Sequence, residues 1–273
     1  MGTAHMWLGL PTPTIPEPQL TNVQNLTPFE MFSCMKMAQG RRYCDTVVVK
    51  GTFDLAPGRL RRSDRQSAIA LVDEYWDAES PERSSVRHAG EAMLVKPSTD
   101  VIVTGSARAP LGEPSASWYA AVRIEDEQGG EVLDHTLQVT GPRRWRHCAL
   151  RGWVLGDPEP ALEVPIRYEV AYGGARRDAE GGWIVYEPNP SGRGFVDEAA
   201  LDRDAAYEAP QWQTPARPVT RMNEDVPLAG LGPIMRSWPS RRSYQGTCDA
   251  AWIDRMREDV RLHGHLAETR PEV

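Results

Sequence analysis

Ser33-Cys34-Met35-Lys36 sets a serine three residues before a lysine, a pairing in which an amine can take up a hydroxyl proton. The motifs that complete such a nucleophile are missing from the rest of the chain, so the tetrapeptide reads as a chance match. Gly192-Arg193-Gly194 resembles a fragment of a phosphate-cradling loop. A dinucleotide loop joins a strand directly to a helix whose N-terminus receives the phosphates, and neither flank has that pattern. A structural turn is expected there instead. His263-Gly264-His265 has the spacing of two metal ligands but no obvious third, and it sits in a polar tail. Asp73 and Glu74 are adjacent, so on a strand they would face opposite sides and could not share acid–base work. There is no G-x-S-x-G, H-E-x-x-H or Walker loop. These residues point to a protein that is not an enzyme and uses neither cofactor nor metal.

The elements that would position any site are short and β-like. Residues 45–55 alternate, with Val47, Val49, Gly51, Phe53 and Leu55 on one face. Residues 117–126 and 131–140 alternate on either side of Gln128-Gly129-Gly130, which predicts an antiparallel hairpin. Trp118, Ala120, Val122, Ile124, Leu133, His135, Leu137 and Val139 point inward in that reading, with His135 a core histidine rather than a catalyst. Further strands are expected at 69–76, 100–107 and 181–186, with an exposed loop at 77–87 and a basic loop at 59–65. Thr27-Pro28-Phe29-Glu30 has the cap, proline and acid of a brief helix. A second helix is expected at 249–261, capped by Asp249. The expected fold is therefore mainly β: an antiparallel β-sandwich or open barrel with one or two short helices, one of them near the C-terminus.

The 273 residues allow one domain with a sizeable core. We divide them into an extended proline-rich arm at 1–24, a single β-rich domain at 25–262 and a polar tail at 263–273. A net charge of −7 argues against a nucleic-acid binder. No apolar run is long enough to span a membrane, and Met1 is not followed by a signal-peptide pattern. The four cysteines are scattered without C-x-x-C spacing, as expected of a reduced, cytoplasmic protein.

The central stretch runs from 163 to 195. Val164, Ile166, Tyr168, Val170 and Tyr172 alternate as a half-buried strand, Gly173-Gly174 stop it, and Asn189-Pro190-Ser191-Gly192-Arg193-Gly194-Phe195 forms a shaped loop. Taken in order with residues 46–55, with Leu231-Gly232-Pro233-Ile234 and Trp238, and with Gly246-Thr247-Cys248-Asp249, these motifs resemble the bacterial domain-of-unknown-function family 2169. Ser191 and Cys248 depart from the residues usual in its motifs. The resemblance implies an adaptor or chaperone of type VI secretion. Such a protein would hold a secreted toxin effector or its PAAR-like tip module, with the spike protein as a further partner, without binding nucleic acid or membrane.

Arginine stacked with indole makes a good recognition surface. The residues expected to contact the partner are Arg143, Arg144, Trp145, Trp153, Arg193, Phe195, Trp238 and Arg241. Gly173, Gly174, Asn189, Pro190, Gly192, Gly194, Gly246, Thr247 and Asp249 are expected to maintain the scaffold. A sandwich-type carbohydrate-active enzyme or sugar-binding module is the alternative, because tryptophan-rich clefts suit sugars.

Overall fold

The computed structural model describes residues 23–38, 42–92, 100–235 and 238. Of these, 39% are strand and 6% helix, with no helix of seven residues or more, so the molecule is mainly β. No closed barrel forms among the described residues. The helix expected at 249–261 lies outside them, as do Arg241, Gly246, Thr247 and Asp249.

The first regular element is a two-stranded antiparallel ribbon. β1 (Glu30–Ala38) pairs with β2 (Arg42–Lys50), with Met31 opposite Val49 and Ser33 opposite Val47. The helix expected at 27–30 does not form; residues 27–29 bend and Glu30 enters β1. The Asn25 side-chain oxygen accepts from the Thr27 N–H at 3.0 Å and the Thr27 hydroxyl at 2.7 Å, a local turn that competes with helix capping.

The strand expected over 45–55 is interrupted at Gly51-Thr52. β3 (Phe53–Ala56) follows and returns through β4 (Arg59–Arg62), so the basic stretch is a strand rather than a loop. Thr52 is held at the break: its N–H donates to Gln66 Oε1 at 2.8 Å, and its carbonyl accepts from Gln66 Nε2 at 3.2 Å.

Within 69–76 only β5 (Glu74–Tyr75) is strand, and it pairs with β6 (Val86–His88). The connection between them was expected to be exposed, yet Ser84, Ser85 and Val86 are buried at 2%, 0% and 2% exposure. Buried polar groups need partners. Glu169 supplies them, accepting from the Ser85 N–H at 2.6 Å and the Ser85 hydroxyl at 2.7 Å. Of residues 100–107, only the end joins β7 (Ser106–Arg108).

The predicted hairpin is present. β8 (Ser117–Glu125) and β9 (Glu131–Thr140) pair with Trp118 opposite Val139 and Val122 opposite His135. Asp126 shapes the turn by accepting from the Gln128 and Gly130 N–H groups at 2.9 and 2.6 Å. The predicted inward residues are all buried or half-buried, Leu137 and Val139 completely. Full burial of such a side chain contributes about 1.5–3 kcal/mol.

His135 lies in this face beside Val101, Val122 and Leu231. Burial lowers its pKa below the ordinary 6.5, while a backbone hydrogen bond at Gly230 and the charge of Asp134 pull the other way. As pH falls the unfolded chain takes the proton first, so stability declines below about pH 6.5. His135→Gln should therefore lose less stability than the native chain between about pH 7.5 and about pH 5.5 in urea melts. Equal losses would show that this imidazole is not the group responsible.

β10 (Arg144–Cys148) pairs with β11 (Gly152–Leu155), and β12 (Glu163–Pro165) pairs with β7. In the stretch expected to be one strand, burial follows the predicted alternation: Val164, Ile166, Tyr168, Val170 and Tyr172 are all buried. The backbone does not stay extended. Tyr168–Val170 forms a 3-10 turn, after which β13 (Tyr172–Gly173) begins. β14 (Ala175–Arg177) and β15 (Trp183–Val185) make a hairpin, with Trp183 64% exposed beneath Arg177. β16 (Arg193–Gly194) runs parallel to β13, β17 (Ala206–Glu208) edges β10, and β18 (Trp212–Gln213) edges β9.

Among the described residues, three core clusters result. The largest joins the β18–β9–β8 sheet to the β7–β12 pair through Trp118, Leu137, Val139, Val164 and Trp212. The Trp212 indole N–H donates to the Pro165 carbonyl at 2.9 Å, fixing one sheet against the other. A second cluster gathers Trp145, Tyr172, Tyr186 and Val219, and a third Tyr168, Leu228, Ile234 and Trp238.

Candidate functional site

The sequence motifs at 172–174 and 189–195 fold onto each other. Asn189 is fully buried, and its amide donates to the Tyr168 and Tyr172 carbonyls at 2.8 and 2.9 Å. Its own carbonyl accepts from the Gly174 N–H at 2.9 Å. The Arg193 N–H donates to the Ala171 carbonyl and the Phe195 N–H to the Gly173 carbonyl, both at 2.9 Å, which closes the parallel pair. The two backbones lie too close for side chains. A Cβ on Gly173 would overlap the Asn189 carbonyl oxygen, and one on Gly192 would lie 2.6 Å from the Gly173 nitrogen. Gly173, Gly174, Asn189, Gly192 and Gly194 thus sit together in one backbone crossing.

That crossing aims Arg193 into a recess of about 220 Å³. Arg143, Arg144 and Arg167 also line it, with Glu208 as the acidic side chain in its wall. Arg193 Nη2 lies 2.7 Å from Glu208 Oε2. Arg143 is 8% exposed and is held by neutral acceptors: its Nε donates to the Pro210 carbonyl at 2.7 Å and its Nη2 to Gln213 Oε1 at 2.8 Å. Burial lowers its pKa to about 10, which leaves it charged at neutral pH. Burial also lowers the pKa of Arg193; Glu208 raises it, and the like charge of Arg167 lowers it again.

A larger cleft of about 640 Å³ lies where the ribbon meets the body, lined by Lys50, Glu74, Arg87, His88, Glu91 and Asp100 among others. Glu91 is a tie within it. Its Oε2 accepts from Lys50 Nζ at 2.8 Å and from the Ala70 N–H at 2.7 Å.

The ribbon and its extension present apolar residues to solvent. Val47 and Val49 on β2 are 44% and 55% exposed, and Leu55 and Leu60, directly opposed across β3 and β4, are 89% and 64% exposed. Among the described residues, β1 and β2 pair only with each other.

Among the described residues, the structure brings Arg143, Arg144 and Arg193 together at the recess and gathers Trp145, Trp153 and Phe195 in the second core cluster instead. Trp145 is fully buried and Trp238 nearly so, so neither is a surface anchor of the folded chain. Trp145 points into the second core cluster from the middle of a three-stranded sheet, and Trp238 packs edge-on against Tyr168. Trp153 is half-buried against His147 and Tyr207. Phe195 is half-buried against Tyr186, with the Arg176 guanidinium over its ring. Pro190 is half-buried beside Asn189. Sequence reasoning missed Arg167 and Glu208 as recess residues. Arg167 carried a signal, because it lies on the polar face of an otherwise apolar stretch.

The architecture is a mainly β fold in which a glycine-asparagine crossing supports an arginine recess. The chain belongs to the family described as uncharacterized protein conserved in bacteria (DUF2169), whose model matches residues 39–261. No curated protein and no solved structure matches the chain.

Proposed function

We propose that the protein is a non-catalytic adaptor or chaperone. It binds a type VI secretion effector, or the effector's PAAR-like module, in the cytoplasm and assists its loading on the secretion spike. The rigid part is a sandwich-like frame, with the β18–β9–β8 sheet facing the β7–β12 pair across the largest core cluster. The observation that carries the reading is the β1–β2 ribbon. Two nine-residue strands that, among the described residues, pair only with each other and turn Val47 and Val49 outward make an unusual surface for a protein that works alone. An isolated two-stranded ribbon is marginal in water, and long open edges invite pairing. A client strand added to that edge would satisfy its backbone groups and cover its valines.

The alternative, a carbohydrate-active enzyme, would need free carboxylates in the 640 Å³ cleft. Glu91 there is engaged by a lysine and a backbone N–H, as a structural tie would be.

The test is co-expression with the products of the neighbouring genes, followed by size exclusion and a binding titration. The native chain should form a stable complex. Val47→Asp with Val49→Asp should weaken it by at least about tenfold, roughly 1.4 kcal/mol, without lowering the melting temperature. A native chain that elutes alone, or a double variant that binds as well as the native chain, would refute the proposal.

A further inference from the structure

We propose that the arginine recess is a binding site for a carboxylate. Four arginines, Arg143, Arg144, Arg167 and Arg193, line a space of about 220 Å³, with Glu208 as the acidic residue among them. Two of the four are already engaged. Arg143 is held by the Pro210 carbonyl and Gln213, and Arg193 by Glu208. Arg167 is different. Its Nε–H is buried and has no hydrogen-bond partner among the described residues, although its guanidinium lies over the Trp76 ring at 5.7 Å. A buried donor left unpaired carries a penalty of about 1–3 kcal/mol, which a bound acceptor removes. Arg144 is exposed on β10 and stands at the mouth of the recess.

The surroundings select the kind of anion. A guanidinium fork matches the two oxygens of a carboxylate in one plane. Glu208 stays in the wall and Glu169 lies within electrostatic reach of Arg193, so part of the arginine charge is already offset and a second negative charge on the ligand gains less. Pro142, Pro165, Val170 and Ala209 supply apolar walls that suit the methylenes behind a carboxylate. The volume is below the usual range of about 300–1,000 Å³ for drug-sized ligands and suits a group the size of one acidic side chain. The recess takes its anion whether or not the β1–β2 ribbon grips a client.

The experiment follows the arginine Nε–H signals of the full chain by NMR, at constant ionic strength, with N-acetylglutamate, a blocked peptide bearing one central glutamate, and inorganic phosphate as separate probes. Arg167 and Arg193 should shift saturably with the first two, and phosphate should bind more weakly. Arg167→Gln should weaken carboxylate binding by at least about tenfold. Arg144→Gln, at an exposed position that does not threaten folding, should weaken it about threefold, as befits one partly screened charge. Arg108→Gln, at an exposed arginine on β7 outside the recess, should leave it unchanged. Tighter binding of the peptide would identify a polypeptide as the source of the carboxylate, and equal or weaker binding a free small acid. Shifts that grow linearly and match those produced by sodium chloride, phosphate binding tighter than carboxylate, or an Arg144→Gln variant that binds as well as the native chain would each overturn the assignment.

Discussion

Gly173→Ala is expected to cost more than about 4 kcal/mol, enough to leave little folded protein in a domain of ordinary stability. The cause is steric. The new Cβ would overlap the Asn189 carbonyl oxygen and come within 2.8 Å of the Asn189 Cβ, closer than bonded neighbours aside any such atoms pack. Neither side can yield cheaply. Asn189 is fully buried, and its amide and carbonyl together hold Tyr168, Tyr172 and Gly174. Moving it to make room would strand three backbone groups in the interior, each at about 1–3 kcal/mol. Gly129→Ala is the comparison. Gly129 has φ +82° and nothing within 4 Å of its would-be Cβ, so only the left-handed backbone is penalised, by about 1–2 kcal/mol. Urea unfolding followed by tryptophan fluorescence reads both variants. A Gly173→Ala protein as stable as Gly129→Ala would mean that the crossing is not the close-packed joint described above.

How far the sequence anticipates this depends on the range of the forces involved. The β8–β9 hairpin is legible because alternation and a glycine turn are local, and its inward residues are the predicted ones. The buried set Val164, Ile166, Tyr168, Val170 and Tyr172 is legible for the same reason, but the 3-10 turn at Tyr168–Val170 is not. Alternating burial is compatible with either backbone, and no local pattern marks the buried serine pair some 85 residues earlier that bonds to Glu169 within that turn. The glycine motif was expected to be scaffold, and its residues do meet in one crossing. Trp145 and Trp238 show the opposite limit. A tryptophan among arginines looks like an anchor in sequence, yet its burial is set by the strands on either side, which composition does not reveal. The valines of β2 show a further limit, since an apolar strand face reads as core from its pattern, whereas Val47 and Val49 are exposed among the described residues.

Glu169→Ala is expected to be the next most damaging change, at about 3–4 kcal/mol. Its carboxylate holds a connection that would otherwise have no reason to enter the core. The Ser85 N–H and hydroxyl donate to its two oxygens at 2.6 and 2.7 Å, and Ser85 is fully buried. Alanine would orphan both donors at once. It would also detach the segment that carries Val86, whose side chain is 2% exposed. Glu169→Gln keeps one carbonyl oxygen for the N–H and loses the charge, so it should cost only about 1–2 kcal/mol. The glutamine variant links the fold to the recess. Glu169 raises the pKa of Arg193, and removing its charge leaves the guanidinium cluster more positive. N-acetylglutamate should therefore bind Glu169→Gln more tightly than the native chain even though the variant is less stable. Urea melts and the NMR titration measure the two effects separately. Weaker binding by a folded Glu169→Gln protein would mean that this carboxylate shapes the recess rather than competing with its ligand.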